Sequence, residues 1–358
     1  MERFGFVGLP NAGKSSLYNA LAGGGALAAP YAFATTDPNV GVARVPDTRL
    51  DQLAEMSKSK NVVPATVQFV DIGGLVEGAS KGEGLGNRFL AHIREVDAVV
   101  YVLRAFDQGV PGETDPLEHL RIVELELTLA DLEAVESQID KRRKAARADK
   151  SLQPEIDALE VAHGFLAEGT PLYRASGLDA EVRRLLRPWF LLTNRAVLAL
   201  VNVDEGQLDD MEAVAAPVRD ELGANAQVLP MCVQLEAEAA LLDADERTEM
   251  LEGLGLGDGA LPTFVHAAYD LLGLRTFLTT GEKESRAWTF RAGMTGPECA
   301  GVIHTDLQKG FIRAEVIRWD ELLRIGSWNG AKDVGKLRIE GKDYLVADGD
   351  VLEIRFNV

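Results

Sequence analysis

Cysteine is nearly absent: two residues, Cys232 and Cys299, in a chain of 358. That excludes a disulfide framework and suits a reducing compartment. Long apolar runs are missing as well, and none approaches the about 20 residues that span a bilayer. The first residues run straight into strand-like sequence without the apolar stretch of a signal peptide. The expectation is a cytoplasmic protein with no membrane partner. Basic residues are outnumbered, 37 Lys plus Arg against 56 Asp plus Glu, for a net charge of −19. A surface built throughout to grip nucleic acid is thereby excluded, and no sequence-specific DNA partner is expected. A local basic patch stays compatible with that balance. What is present is ordinary for a globular chain, 46% hydrophobic and 26% charged, so disorder and collagen-like structure fall away. The length predicts two or three domains rather than one.

Short apolar runs at 4–7, 66–70, 98–103, 196–203 and 227–231 alternate with helical patterns. Nearly continuous strands separated by helices predict a doubly wound α/β sheet with parallel strands covered on both faces. Strand signals stop between the third and fourth runs. There Ile122, Leu125, Leu129, Leu132 and Ile139 recur at helical spacings and predict an apolar stripe on one long helix. The basic cluster 141–144 follows, then helical segments near 154–168 and 179–190. The reading is a helical, coiled-coil-like hairpin inserted at 113–194 into a sheet domain formed by 1–112 and 195–277. From 278 to 358, short strands at 288–290, 310–316, 344–346 and 351–356 between glycine-bearing turns predict a small α+β module. Neither an internal repeat nor a low-complexity tract is found.

The chemistry starts at Gly8-Leu9-Pro10-Asn11-Ala12-Gly13-Lys14-Ser15, a GxxxxGKS phosphate loop between a strand and a helix opening near Ser16. Its glycines let backbone N–H groups turn onto a phosphate, and the helix N-terminus adds positive potential. Lys14 would neutralise β- and γ-phosphate charge while the Ser15 hydroxyl joins Mg²⁺. Asp71-Ile72-Gly73-Gly74 ends a strand where such a protein places the acid that holds the metal through water, with the Gly74 N–H at the γ-phosphate. Between them, 31–39 carries threonines that would close over the metal as a switch loop does; a plain turn before Pro38 is the alternative. Asn202-Val203-Asp204-Glu205 follows a strand where a GTPase carries Asn-Lys-x-Asp. A carboxylate there pairs with guanine N1–H and its exocyclic amine. Glu205 is one methylene too long, and Val203 lacks the lysine stem. Hydrogen-bond discrimination of this kind reaches about ten-thousandfold, so guanine selectivity should weaken.

These runs resemble the YchF/Obg-like ATPase family over essentially the whole length. GLPNAGKSSLYNAL resembles its phosphate loop, YAFATTDPNVG its first switch, and DIGGLVEGASKGEGLGNRFL its second. NVDE resembles its NxxE base motif and PMCVQLEAE its last nucleotide loop. TTGEKESRAWTFRAG and AGVIHTDLQKGFIRAEVI resemble its C-terminal TGS domain, a β-grasp-like fold. The resemblance implies a P-loop nucleotide-binding domain that hydrolyses ATP in preference to GTP. It places the nucleotide loop at Asn11, Ala12, Gly13, Lys14, Ser15 and Ser16, and magnesium at Ser15 and Thr35. Base contacts fall on Asn202 and Val203, with Glu205 and Cys232 in the two base loops.

Leu75 stands where small GTPases keep the Gln that orients the attacking water. Slow intrinsic hydrolysis is expected, and the water-positioning group is undetermined. Many relatives carry a His after the fourth strand; that segment is shortened here to 106–112, and His119, in the next helix, is not assigned the role. Asn11 has two readings of equal weight, a potassium ligand beside the phosphates and a residue stabilising its own turn. The knot 141–147 (KRRKAAR) reads as a solvated helix face or, at a hairpin tip, as a contact for ribosomal RNA. Trp288, Phe290, His304, Phe311 and Trp319 are core candidates. The function expected is a Mg²⁺-dependent ATPase switch working with the ribosome. The alternatives are a GTPase translation factor with relaxed base choice and a nucleotide-gated binding module with negligible turnover.

Overall fold

The computed structural model describes residues 2–22, 40–72, 95–107, 109 and 112–357. All five runs foreseen in the first part of the chain are strands of one sheet. They are β1 (Arg3–Val7), β4 (Thr66–Asp71), β5 (Ala98–Arg104), β6 (Ala196–Asn202) and β7 (Gln227–Met231), joined at the edge by β2 (Val40–Arg44) in the order β2-β4-β1-β5-β6-β7. The pairs β1–β4, β1–β5, β5–β6 and β6–β7 are parallel. Every residue of β5 is buried, as a central parallel strand requires. On one face Phe4, Phe6 and Phe69 pack together, with the Phe6 and Phe69 rings stacked at 5.3 Å. Short β2, half-exposed at alternate residues, carried too weak a pattern to be read from sequence.

Helix α1 (Lys14–Ala22) follows β1 directly. The long helix of the insertion, α3 (Pro116–Ala146), is started by Asp115, whose carboxylate accepts from the Leu117 N–H at 2.8 Å, with Pro116 preset for the first turn. The stripe expected on it is misplaced. Leu125 is 53% exposed, and Ile122, Leu129 and Leu132 are only half-buried. Of the expected stripe only Ile139 is buried, and the rest of the covered side runs through Leu120, Val123, Leu127 and Val135. The reason is that α3 serves two cores. Leu120, Val123, Leu127 and Ala130 join the sheet's core, while Val135 and Ile139 join a second core with α4 (Gln153–Ala167) and α5 (Ala180–Leu186). The change of core falls inside α3, well beyond residue 113. Asp131 sits at that change, fully buried, accepting from Leu192 N–H, Thr193 N–H and the Thr193 hydroxyl at 2.9, 2.7 and 2.7 Å. Among the described residues no helix is long and apolar enough to cross a membrane.

The chain forms two compact units, Met1–Val42 with Gln68–Leu261, and Ala43–Val67 with Pro262–Val358. The second therefore takes a segment that the sequence placed with the first. That segment holds α2 (Thr48–Ser57) and β3 (Asn61–Val63), and β3 closes a second sheet in the order β11-β10-β12-β8-β9-β3. Its other strands are β8 (Leu274–Thr279), β9 (Glu284–Arg291), β10 (Phe311–Arg318), β11 (Arg338–Glu340) and β12 (Asp350–Phe356). Antiparallel β8–β9 and β10–β12 meet through a parallel β8–β12 contact, a mixed sheet over a core of Phe277, Phe290, Cys299, Phe311 and Val316. Residues 344–346 form only an isolated bridge, Thr295 to Leu345, rather than a strand. His304 is on the surface as a helix cap, its Nδ1 accepting from Asp306 N–H at 3.1 Å.

Candidate functional site

The loop 8–15 leaves the buried end of β1 and enters α1 at Lys14. Two glycines are required by what surrounds them. A Cβ on Gly8 would collide with the Val102 carbonyl of β5. Gly13 has φ +97°, and a Cβ there would collide with the Asn202 amide. Asn11 also lies in the left-handed region, at φ +63°, which Asn tolerates better than most residues. Its turn-forming reading thus has a backbone basis.

Lys14 is 6% exposed and donates to the Gly8 and Leu9 carbonyls at 3.0 and 2.8 Å. Burial pulls its ammonium down to about 8, while Asp71 acts to keep it charged. Ser15 donates its hydroxyl proton to Asp71 Oδ2 at 2.7 Å. The two oxygen groups expected to hold a metal are therefore neighbours, although they lie 56 residues apart in sequence. A hydroxyl and a carboxylate at the end of a phosphate loop are a hard-oxygen set that fits Mg²⁺, which keeps several waters and takes its other ligands from phosphates. Thr35, Gly74 and Leu75 lie outside the described residues.

Asn202 ends β6 and is 4% exposed. Its Nδ2 donates to Ala12 O at 2.9 Å, and its Oδ1 accepts from Val233 N–H at 3.1 Å. One side chain thus ties the phosphate loop to the loop after β7. Next to it opens a cleft of about 300 Å³ lined by Gly13, Ser16, Phe106, Asn202, Val203, Val233, Gln234, Ala237, Glu238 and Leu241. Gln234 and Glu238 come from α6 (Val233–Ala239), one turn apart, with the Gln234 amide donating to Glu238 Oε1 at 3.1 Å. Phe106 is held by Arg104, which donates to its carbonyl at 2.8 Å and lies 4.9 Å over its ring.

Of the residues expected at the nucleotide, Gly13, Ser16, Asn202 and Val203 line this one cleft. Glu205 is not among the residues lining the cleft; it is exposed on the turn after β6. Cys232 turns into the core, where burial pushes its thiol up, and only its neighbours Val233 and Gln234 reach the cleft. Gln234 and Glu238 lie in the run PMCVQLEAE that resembles the last nucleotide loop but are not singled out by the sequence, and sequence reasoning missed Leu241, the cleft-lining role of Phe106 and the place of His119. That ring is fully buried against the loop, with Nε2 2.7 Å from Leu9 N and Nδ1 3.0 Å from Arg104 N. In the basic knot, Arg142 pairs with Glu155 at 3.4 Å and covers the Trp189 ring, and Arg143 pairs with Glu160 at 2.8 Å. Lys141, Lys144 and Arg147 stay exposed.

Parallel central strands, a GKS loop opening a helix, a neighbouring Ser–Asp pair and a cleft anchored by Asn202 together define a P-loop NTPase of the GTPase class. A family profile described as a 50S ribosome-binding GTPase matches residues 3–151. A second, for the C-terminal domain of the YchF GTPase, described as a protein of unknown function, matches 274–357. The chain is 45% identical to the ribosome-binding ATPase YchF of Bacillus subtilis, with 99% of both chains covered. It is 44% identical to that of Escherichia coli O157:H7, again over 99% of both. Its fold matches the structure of the Schizosaccharomyces pombe YchF GTPase with a TM-score of 0.87 at 34% identity, over 99% of this chain and 97% of that one. The chain belongs to the YchF family.

Proposed function

We propose that the chain is a Mg²⁺-dependent switch that binds and hydrolyses ATP in preference to GTP and acts with the ribosome in the cytoplasm. The observation that carries this reading is the convergence of Lys14, Ser15 and Asp71 at one loop, with Asn202 joining that loop to a base-sized cleft. When bound, magnesium would neutralise charge on the β- and γ-phosphates, held by Ser15 and, through water, by Asp71, with Thr35 as the expected further ligand. Lys14 would keep its hold on the loop carbonyls and turn its third N–H to the phosphate oxygens. Gly13 and Ser16 leave room for the nucleotide between loop and cleft.

Base choice follows from what lines the cleft. Val203 stands where a GTPase has its lysine, and Glu205 does not reach in. The Gln234–Glu238 pair presents a donor beside an acceptor, which complements adenine's N1 acceptor and N6 amine. Guanine offers an O6 acceptor beside its N1 donor, so this pair by itself accepts either base, and the preference against guanine rests on the missing lysine at 203 and on Glu205 lying outside the cleft. The Glu238 carboxylate alone would suit guanine, and this favours one second reading, a GTPase with relaxed base choice. With leucine at 75, turnover is expected well below the about 10 per second typical of enzymes. Potassium at Asn11 is part of the proposal only if replacing sodium with potassium raises turnover and Asn11→Ala removes the rise.

Ribosome binding is supported by the names of the Bacillus subtilis and Escherichia coli relatives. Lys141, Lys144 and Arg147 offer a sequence-blind, salt-sensitive contact for an RNA backbone. Co-sedimentation with ribosomes in the ATP-bound, ADP-bound and empty states tests the switch. Affinity that depends on the nucleotide supports it, and equal affinity in all three states refutes it.

A further inference from the structure

His119 stands in the first turn of α3, 0% exposed, facing the underside of the phosphate loop. Both ring nitrogens lie at hydrogen-bond distance from a backbone N–H, Nε2 at 2.7 Å from Leu9 N and Nδ1 at 3.0 Å from Arg104 N. A neutral imidazole has one lone pair to offer, so it serves one of these amides at a time. A protonated ring serves neither. Burial, then the Lys14 and Arg104 cations, push His119 down to about 3, so the ring is neutral at any working pH. The shorter contact is the one to the loop. The peptide that joins Gly8 to Leu9 is therefore gripped from both sides: its N–H donates to His119, and its carbonyl, that of Gly8, accepts from the Lys14 ammonium at 3.0 Å, with the next carbonyl, that of Leu9, on the same ammonium at 2.8 Å.

We propose that His119 is a positioning residue for Lys14, a neutral ring whose bare Nε2 fixes the Leu9 peptide and, through it, the ammonium that meets the phosphates. The Nδ1–H tautomer performs this task. Moving the proton to Nε2 would release Leu9 and give the lone pair to Arg104, whose side chain holds the Phe106 wall of the base cleft. His119 thus lies between the phosphate and base halves of the site. The inference rests on the nucleotide reading above.

The two amide substitutions separate positioning from packing. The oxygen of Gln at 119 falls near the place of Nε2 and can still accept from Leu9, whereas the oxygen of Asn falls near Nδ1 and cannot. Affinities for MgATP and MgADP are measured by calorimetry on the full chain, alongside thermal melting. His119→Gln is expected to stay within about twofold of the native affinity, and His119→Asn to weaken it about tenfold, the effect of leaving one loop amide without its acceptor. A like effect of both variants, or tighter binding by the Asn variant, overturns the proposal. Nitrogen-15 spectra of the histidine-labelled protein give a readout that simple packing would not move. A bare Nε2 with a protonated Nδ1 is expected, and a protonated Nε2 overturns the assignment without any nucleotide present. Native protein that binds neither nucleotide refutes the nucleotide reading itself, a result distinct from failure of the Gln–Asn split.

Discussion

Replacing Asn202 with Ala tests the join between the two halves of the site. The side chain makes two buried bonds, to Ala12 O at 2.9 Å and from Val233 N–H at 3.1 Å. Ala12 is 0% exposed and Val233 is 1% exposed, so each loses a buried partner, and only water entering from the neighbouring cleft offsets that loss. Each orphaned group costs about 1–3 kcal/mol. Allowing for relaxation of the loops, the total is about 2–4 kcal/mol. Part appears as stability, a fall of about 2–4 °C in Tm per kcal/mol for a unit of this size. Part appears as affinity, because the phosphate loop and the base loop no longer set each other's position. Asn202→Asp separates the contributions. It keeps an oxygen for Val233 N–H but faces Ala12 O with a second acceptor, so it should bind nucleotide worse than native protein while the base loop stays in place. Calorimetric titration with MgATP and thermal melting of all three proteins supply the numbers. An Ala variant that melts and binds like the native chain would show that Asn202 joins nothing, and the reasoning would fail.

Lys14→Ala should leave the protein folded and weaken triphosphate binding about 10- to 100-fold or more, since it removes charge-assisted bonds rather than core packing; equal affinity in equilibrium dialysis would place the phosphates elsewhere. Asp131→Ala should lower stability to urea by about 2–4 kcal/mol through its three buried bonds while sparing nucleotide affinity; an unchanged midpoint would contradict this. His119, ordinarily near 6.5 and held at about 3 when folded, takes up a proton only in the unfolded chain between those values. Its share of stability is therefore lost as pH falls from about 6.5, by about 1.4 kcal/mol per pH unit. Urea titrations at pH 7 and pH 5 should differ by about 2 kcal/mol more in native protein than in His119→Gln, and an equal difference would refute the assignment.

The parts of the site that could be read from sequence are those whose chemistry is written in adjacent residues. The loop from Gly8 to Ser15 needs its glycines and lysine at fixed spacing, and a strand end such as Asp71 next to Gly-Gly has few other meanings. The sheet's strands were legible for the same reason, because a strand buried on both faces must be apolar throughout. What escaped depends on distant pieces of chain meeting. His119 reaches the loop because α3 returns beneath the sheet, and nothing in the residues around it signals that. Gln234 and Glu238 look like any exposed pair one helical turn apart until the cleft is seen beside them. Glu205 sits at the expected place in its motif, but the 3₁₀ turn that starts there leaves its carboxylate outside the cleft. The misplaced stripe on α3 follows from one helix packing against two cores, which widens the buried face beyond a single periodic seam. The segment 43–67 carries no mark of joining the second sheet, since β3 gains its partner only at β9.

The central claim is that the cleft beside Asn202 and the loop around Lys14 form one site that selects ATP. The most direct measurement is a paired calorimetric titration of the purified native protein with MgATP and MgGTP at equal ionic strength, repeated on Lys14→Ala. The account predicts that the native protein binds ATP more tightly than GTP and that the Lys14 variant loses affinity for both. GTP bound as tightly as ATP or more tightly would contradict the reading of the base cleft, and a Lys14 variant that binds as the native protein does would contradict the site itself.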